Sequence, residues 1–327
     1  ISSRARLARN LSGFQYAHRE EDGKLAEIVD VVLETAGGAG FAREGFLRNE
    51  DMDDLRKAVL LERHLITPTL SERERNRGVL VGDGEYSSIL INEEDHLRIQ
   101  AFCSGFDPLR VWEEADGIDD RFAESILFSY SRRYGYLTAC PTNMGTGLRV
   151  SILVHLPALV LTKDIQRMIR SAGQIGLTVR GFRGEGSDVV GNLFQISNGV
   201  SLGKPERTLV EDLLDTTRKI VDYEKKAADT LIKDARQQIE DKIFRSAGIL
   251  KSARVLSTAE FMNLSSAVRL GVHLGVLAKP GMESLNELLI DTQPGHLQAR
   301  SGRTADASER DILRASIVRE RFLDVRL

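Results

Sequence analysis

The sequence predicts an α+β domain, a largely antiparallel sheet flanked by helices, followed by an all-helical domain. Two patterns carry this expectation. Short apolar runs separated by turn residues dominate the first two thirds of the 327 residues, as neighbouring strands require. After Pro205 the apolar positions instead recur at helical spacing with charged residues between them. With 42% hydrophobic content, a chain of this length has the material for about two cores.

The elements follow in order. Ser2-Ser3-Arg4-Ala5-Arg6-Leu7-Ala8-Arg9 alternates so that an extended backbone projects Arg4 and Arg6 to one side. Val79-Leu80-Val81 and Ser88-Ile89-Leu90-Ile91 read as extended runs joined by a turn at Gly82-Asp83-Gly84, with a third run from Leu97 to Phe102. Phe122, Ile126, Leu127 and Tyr130 have helical spacing. Gly135 to Thr138 and Leu148 to Leu156 read as strands flanking a glycine-containing loop. Thr162 is placed to cap a helix carrying Ile165, Met168, Ile169 and Ala172, before strands at Leu177-Thr178-Val179 and Leu193 to Ile196. Pro205 suits a helix first turn, and the pattern from Leu209 through Ile243 predicts one long helix, or two end to end, running to about Gly248. Thr258 to Leu277 and Ser308 to Phe322 are also helical in pattern. The expected division is an α+β domain over 1–230 and a helical domain over 231–327.

A formal net charge of -3 argues against nucleic acid as the main partner, so any anion site must be local. No apolar run approaches the ~20 residues of a membrane span, and no charged-then-apolar leader opens the chain. Two cysteines, Cys103 and Cys140, fit a reducing cytoplasm better than a disulfide framework.

Four segments invite chemistry. Paired guanidinium forks at Arg4 and Arg6 suit polyphosphate, or simply make a solvated basic strand. In Asn92-Glu93-Glu94-Asp95-His96-Leu97-Arg98 a carboxylate stands ready to orient a cationic acceptor and take its proton while Arg98 faces phosphate; the alternative is an ion-paired connection. In Cys140-Pro141-Thr142-Asn143-Met144-Gly145-Thr146-Gly147-Leu148-Arg149, two glycines allow close backbone approach to a ligand. Cys140 there is a thiolate beside a cation, a buried structural cysteine, or a hydrolase nucleophile for which no local signature is found. Arg180-Gly181-Phe182-Arg183-Gly184-Glu185 is a loop that closes over substrate or an ordinary surface loop, and it lacks the Gly-Lys-Ser/Thr of a P-loop.

Taken together and in this order, the four segments resemble the phosphagen (guanido) kinases over about residues 1–225. The resemblance implies that Arg4, Arg6, Arg98, Arg149 and Arg180 hold the phosphates of ATP. Ser2, Ser3, His64, Arg183 and the backbone of Arg149, Val150, Ser151, Ile152 and Leu153 would lie at the nucleotide. It further implies that Glu94 is the general base, Glu185 the second substrate carboxylate and Cys140 the thiolate near the reacting nitrogen, with Mg2+ carried by the nucleotide. His155 is given no role. The helical extension resembles that of the bacterial branch of the family that phosphorylates arginine side chains in proteins. Read from its residues alone, Arg310-Asp311-Ile312-Leu313-Arg314-Ala315 is an exposed helix with local ion pairs or a phosphate clamp; it matches that branch's Arg-Asp-x-x-Arg-Ala motif, and the resemblance implies an allosteric phosphoarginine pocket formed by Arg310, Asp311, Arg314 and Ala315. The branch implies a cytoplasmic homodimer, an activating partner protein and a Clp-type protease that receives the marked substrates. The alternative is a kinase of a free guanidino compound such as arginine.

Overall fold

The computed structural model describes residues 1–72, 75–181 and 189–326. In chain order the elements are β1 (Ser2–Arg9), α1 (Asp22–Ala36), β2 (Phe46–Arg48), α2 (Asp54–Glu62), α3 (Pro68–Glu72), β3 (Gly78–Val81), β4 (Ser87–Ile91), β5 (Leu97–Ser104) and α4 (Pro108–Ala123). Then come β6 (Tyr130–Ser131), β7 (Gly135–Tyr136), β8 (Leu148–His155), α5 (Pro157–Leu161), α6 (Ile165–Gln174), β9 (Leu177–Gly181) and β10 (Leu193–Asn198). Helices complete the chain: α7 (Glu206–Asp234), α8 (Arg236–Ser252), α9 (Thr258–His273), α10 (Met282–Asp291), α11 (Pro294–Ser301) and α12 (Ala307–Arg321). The chain divides into two compact units, Ile1–Ile152 with Gly176–Thr178 and Ile196–Asp215, and Leu153–Ile175 with Val179–Gln195 and Thr216–Leu327.

One sheet has its strands in the order β2-β3-β4-β5-β1-β8-β10-β9, of which β1 to β5 lie wholly in the first unit. The β2 to β5 ladder is antiparallel, and β1 continues it against β5 with Arg4 opposite Phe102, Arg6 opposite Gln100 and Ala8 opposite Arg98. Strand alternation explains the placement of the arginines: Ser3, Ala5 and Leu7 are buried, which leaves Arg4 and Arg6 on the other face. Met52, Leu60, Leu65, Leu70, Val79 and Leu90 form a core cluster that fixes the β3 and β4 end of the sheet.

Two sequence expectations in these segments are corrected. The helical spacing through Phe122, Ile126, Leu127 and Tyr130 belongs to a helix only at its first member, because α4 ends at Ala123. The chain then pairs with the segment following β1, Ser12 N–H donating to Leu127 O (2.8 Å) and Ser129 N–H to Asn10 O (2.7 Å), and Tyr130 opens a hairpin. Thr162 does not start a helix. It closes α5, donating from its backbone to Ala158 O (2.9 Å), and α6 begins after Asp164.

The long amphipathic pattern is two helices end to end, α7 and α8, broken at Ala235, with α7 passing from the first unit into the second at Thr216. Ile243, Leu250, Phe261, Leu285, Val318 and Phe322 are buried there. Ser257 caps α9 by accepting from Glu260 N–H, and Asp306 with Glu309 forms a capping box at α12. Among the described residues no strand follows Asn198, and no helix is long and apolar enough to cross a membrane.

Candidate active site

Neighbouring strands of the first unit bring four guanidinium groups together. Arg4 and Arg6 come from β1, Arg98 from the start of β5, and Arg149 from β8. Burial, then Arg98 and Arg149, lowers Arg4 to about 10; burial, then the charges of Arg4, Arg98 and Arg149, holds Arg6 well below its ordinary value, against a smaller opposing effect of Glu93. Arg4 still carries its charge at neutral pH, and the carboxylates of Glu93 and Glu94, both paired with Arg98, offset part of the cluster's mutual repulsion. The buried Arg6 Nε also has no hydrogen-bond partner. A cleft lined by Arg6, Arg98, Arg149, Glu94, Cys140, Thr142, Asn143 and Gly147 opens beside them.

The Asn92–His96 loop places the carboxylates. Asn92 takes a left-handed conformation (φ 56°), and its Nδ2 donates to Leu25 O (2.9 Å) and Asn76 O (2.8 Å). His96 Nδ1 accepts from Leu11 N–H (3.1 Å), so its Nε2 carries the proton and donates to Gln15 O (2.7 Å). Glu93 is internal: its carboxylate accepts from Thr67 Oγ1 (2.7 Å) and pairs with Arg98 Nη1 (3.1 Å). Glu94 Oε2 lies 3.0 Å from Arg98 Nη2, and its side chain is 39% exposed against 3% for Glu93. Of the two glutamates, Glu94 is therefore the one available to an acceptor.

Cys140 stands half-buried at the head of a short 3₁₀ turn, Pro141–Asn143, with Sγ 3.0 Å from Thr142 Oγ1. The reading of Gly145 and Gly147 as room for a ligand's backbone contact is corrected in part. At Gly145 (φ 110°) a Cβ would lie 2.5 Å from Ser201 O, and at Gly147 (φ 71°) 2.6 Å from Ala8 O. The close approach is made by the protein's own chain, although Gly147 also lines the cleft.

The other expected positions are distributed as follows. Ser2 shares the face of Arg4 and Arg6, whereas Ser3 points away, donating to Gly105 O (3.0 Å) and accepting from Asp107 N–H (3.0 Å). His64 fills a left-handed position (φ 61°) just past α2. Its side chain keeps solvent access, and desolvation by the surrounding protein, followed by the charges of Arg4 and Arg6, lowers the imidazole to about 4. Val150, Ser151 and Ile152 are buried along β8, and Val150 N–H is engaged by Asn198 Oδ1 (2.8 Å). Leu153 and Arg180 lie on β8 and β9 in stretches belonging to the second unit. Arg183 and Glu185 fall outside the described residues. His155 is an internal residue of the second unit, bonded to Ser266 Oγ (2.8 Å).

Sequence reasoning passed over Arg9, which is 1% exposed. It donates to Asp119 Oδ2 through Nε (3.0 Å) and Nη2 (2.6 Å), to Thr146 O (2.8 Å), and stacks 3.5 Å over Tyr136. The alternating pattern of β1 held the signal: Arg9 is out of phase with Arg4 and Arg6, on the buried side.

In α12, Arg314 is 1% exposed and donates to Thr292 O (2.9 Å), Leu256 O (2.6 Å) and Asp311 Oδ1 (2.5 Å). Arg310 Nη1 donates to Ala305 O (2.6 Å), and Ala315 is buried. Within the Arg-Asp-x-x-Arg-Ala segment, Arg310 and Asp311 thus keep solvent access while Arg314 is internal.

The family model for the ATP:guanido phosphotransferase C-terminal catalytic domain matches residues 27–227. The chain thus carries the catalytic domain of an ATP:guanido phosphotransferase. The model for the protein-arginine kinase McsB C-terminal domain matches residues 236–326. The protein-arginine kinase of Halothermothrix orenii is 40% identical over 98% of this chain and 92% of its own, and that of Bacillus subtilis is 41% identical over 98% and 89%. The chain belongs to the protein-arginine kinase family. Among solved structures, lombricine kinase superposes with TM-score 0.60 at 27% identity, covering 68% of this chain and 65% of that one. A duplicated taurocyamine kinase from Schistosoma mansoni gives TM-score 0.64 over 80% of this chain and 38% of that one; at 21% identity it speaks for the fold alone.

Proposed function

We propose that this protein transfers the γ-phosphoryl group of ATP to the guanidinium group of arginine side chains in proteins. The observation that carries the reading is one cleft in which Arg6, Arg98 and Arg149 meet Glu94 and Cys140. Phosphoryl transfer asks of a protein chiefly alignment and neutralisation of spreading negative charge. Arg4, Arg6, Arg98 and Arg149 supply the second, and the orphaned Arg6 Nε is a donor waiting for an oxygen acceptor. Magnesium enters with the nucleotide as part of the substrate and adds positive charge at the phosphates.

The acceptor is held protonated in water, with a pKa above ~12, and is a poor nucleophile until a proton leaves. Glu94 orients it and accepts that proton as the nitrogen bonds to the γ-phosphorus and the bond from phosphorus to the β-bridging oxygen breaks, releasing ADP. Cys140 sits at the same cleft, where a thiolate would pair with the acceptor's remaining charge. His64, kept neutral at pH 7 by its neighbours, adds no further repulsion to the arginine cluster.

The protein acceptor is supported by relatives of that name matching nearly the full chain and by the helical extension, both reported above. The same reading makes the helical domain over 231–327 the site of dimerisation and of phosphoarginine sensing through Arg310, Asp311, Arg314 and Ala315. It also makes the product a mark for Clp-type proteolysis in the cytoplasm, under an activating partner; the support for these is resemblance. Incubation with ATP, magnesium and either free arginine or an unfolded protein tests the acceptor. Phosphate on protein arginine is expected, and phosphate on the free amino acid alone would select the alternative of a small-guanidine kinase.

A further inference from the structure

One residue of the Asn92–His96 loop has no part in the chemistry above. Asp95 follows Glu94 directly and has 0% exposure, so it touches no substrate. Its Oδ1 accepts from Asn10 Nδ2 and from the backbone N–H of Ala139, each at 2.7 Å. Asn10 continues β1, the strand of Arg4 and Arg6, and Ala139 immediately precedes Cys140. Asn10 closes the network by accepting from His96 N–H (3.0 Å) and donating to Leu137 O (3.0 Å). A single oxygen thereby joins the phosphate-facing strand, the Glu94 loop and the Cys140 loop.

The second oxygen, Oδ2, is buried without a partner, an arrangement that costs stability. Burial accordingly pushes the Asp95 carboxyl upward, against the two hydrogen bonds and Arg98. A carboxylate kept at that cost gives shorter and stronger hydrogen bonds than a neutral acceptor. We propose that Asp95 is a positioning residue, whose buried carboxylate holds Glu94 and Cys140 in register at the acceptor end of the cleft. The proposal rests on the roles given above to those two residues.

Its test is steady-state kinetics of the full chain with ATP and an unfolded protein acceptor, for Asp95→Asn, Asp95→Ala and the control Glu94→Gln. Misplacing a catalytic group by about 1 Å costs on the order of 100-fold in rate. The expected result is kcat lowered about 10-fold in Asp95→Asn, which keeps an acceptor atom, and about 100-fold in Asp95→Ala. KM for ATP should stay within about threefold in both, a split that general loss of structure does not give. Alkylation of Cys140 by iodoacetamide, read by peptide mass spectrometry with Cys103 as internal control, should change in rate in Asp95→Asn. That variant decides the matter even if Asp95→Ala does not fold. A kcat of Asp95→Asn within twofold of wild type, or kcat and KM moving together, overturns the proposal. If Glu94→Gln is inactive while Asp95→Asn is normal, the positioning role alone fails; if Glu94→Gln is fully active, the base assignment fails and takes the proposal with it.

Discussion

Arg98 Nη2 lies 3.0 Å from Glu94 Oε2, so the carboxylate proposed as base is already paired with a cation proposed to face phosphate. The pair couples the two halves of the reaction at one edge of the cleft. Substituting Glu94→Gln keeps the shape and removes the proton acceptor. Phosphorylation of a protein acceptor should fall at least ~100-fold, the low end of what a positioned base supplies, while ATP affinity measured by calorimetry changes little.

The arginine cluster predicts opposite effects on stability and binding. Arg6→Met removes one of four like charges, so the melting temperature of the ligand-free protein should rise. The further rise caused by ATP should shrink, with affinity lower by at least ~10-fold for a lost charge-assisted contact. Differential scanning calorimetry with and without ATP measures both. Equal ATP stabilisation in the variant and wild type would contradict the assignment.

How these residues look in the sequence explains which of them were legible. Alternation in β1 announced Arg4 and Arg6, because period two is a local property of a strand. The same alternation puts Arg9 on the buried face but cannot show its partner Asp119, which is 110 residues away and comes from a different element. Glu94 was singled out by family resemblance, and only folding shows that Glu93 is consumed by Arg98 and Thr67. Gly145 and Gly147 illustrate a different limit: sequence shows where backbone approaches closely but not what approaches it. The helical spacing beyond Phe122 failed because long-range pairing of Leu127 and Ser129 with the chain after β1 overrode a local pattern. Helices α10 and α11, joined by two residues, were too short for periodicity to separate them from their connections.

Buried Arg9 should behave unlike Arg4, although both lie on β1. Arg9→Met strands the Asp119 carboxylate, 5% exposed, without its cation, and breaking a buried pair in this way costs about 3–5 kcal/mol. Urea denaturation should show that loss for Arg9→Met and none of comparable size for Arg4→Met.

His64 gives a pH signature. Its folded value of about 4 lies below the ordinary 6.5, so between these values the unfolded chain binds more protons than the folded one. Stability is therefore unaffected above pH 6.5 and is lost as pH falls from there towards 4. His96 and His155 are shifted in the same direction, so His64→Gln should reduce this acid loss without abolishing it. Because Arg4 and Arg6 contribute to the shift, ATP should raise the His64 value, which NMR titration of its ring protons would detect.

In the helical domain, Arg314→Ala leaves the carbonyls of Thr292 and Leu256 without their donor, at about 1–3 kcal/mol for each buried group left unsatisfied. Its main effect should be earlier melting. Arg310→Ala should leave the melting temperature within a few degrees while abolishing the response to added phosphoarginine, if the pocket operates as proposed. Thermal melting and activity titration separate the two.

The most direct measurement is mass spectrometry of an unfolded protein acceptor after incubation with ATP and magnesium, under conditions that preserve acid-labile phosphoramidates. Phosphate on arginine side chains, lost on acid treatment and absent with Glu94→Gln, is the expected result. Acid-stable phosphate on hydroxyl side chains, or phosphate on free arginine alone, would contradict the central claim.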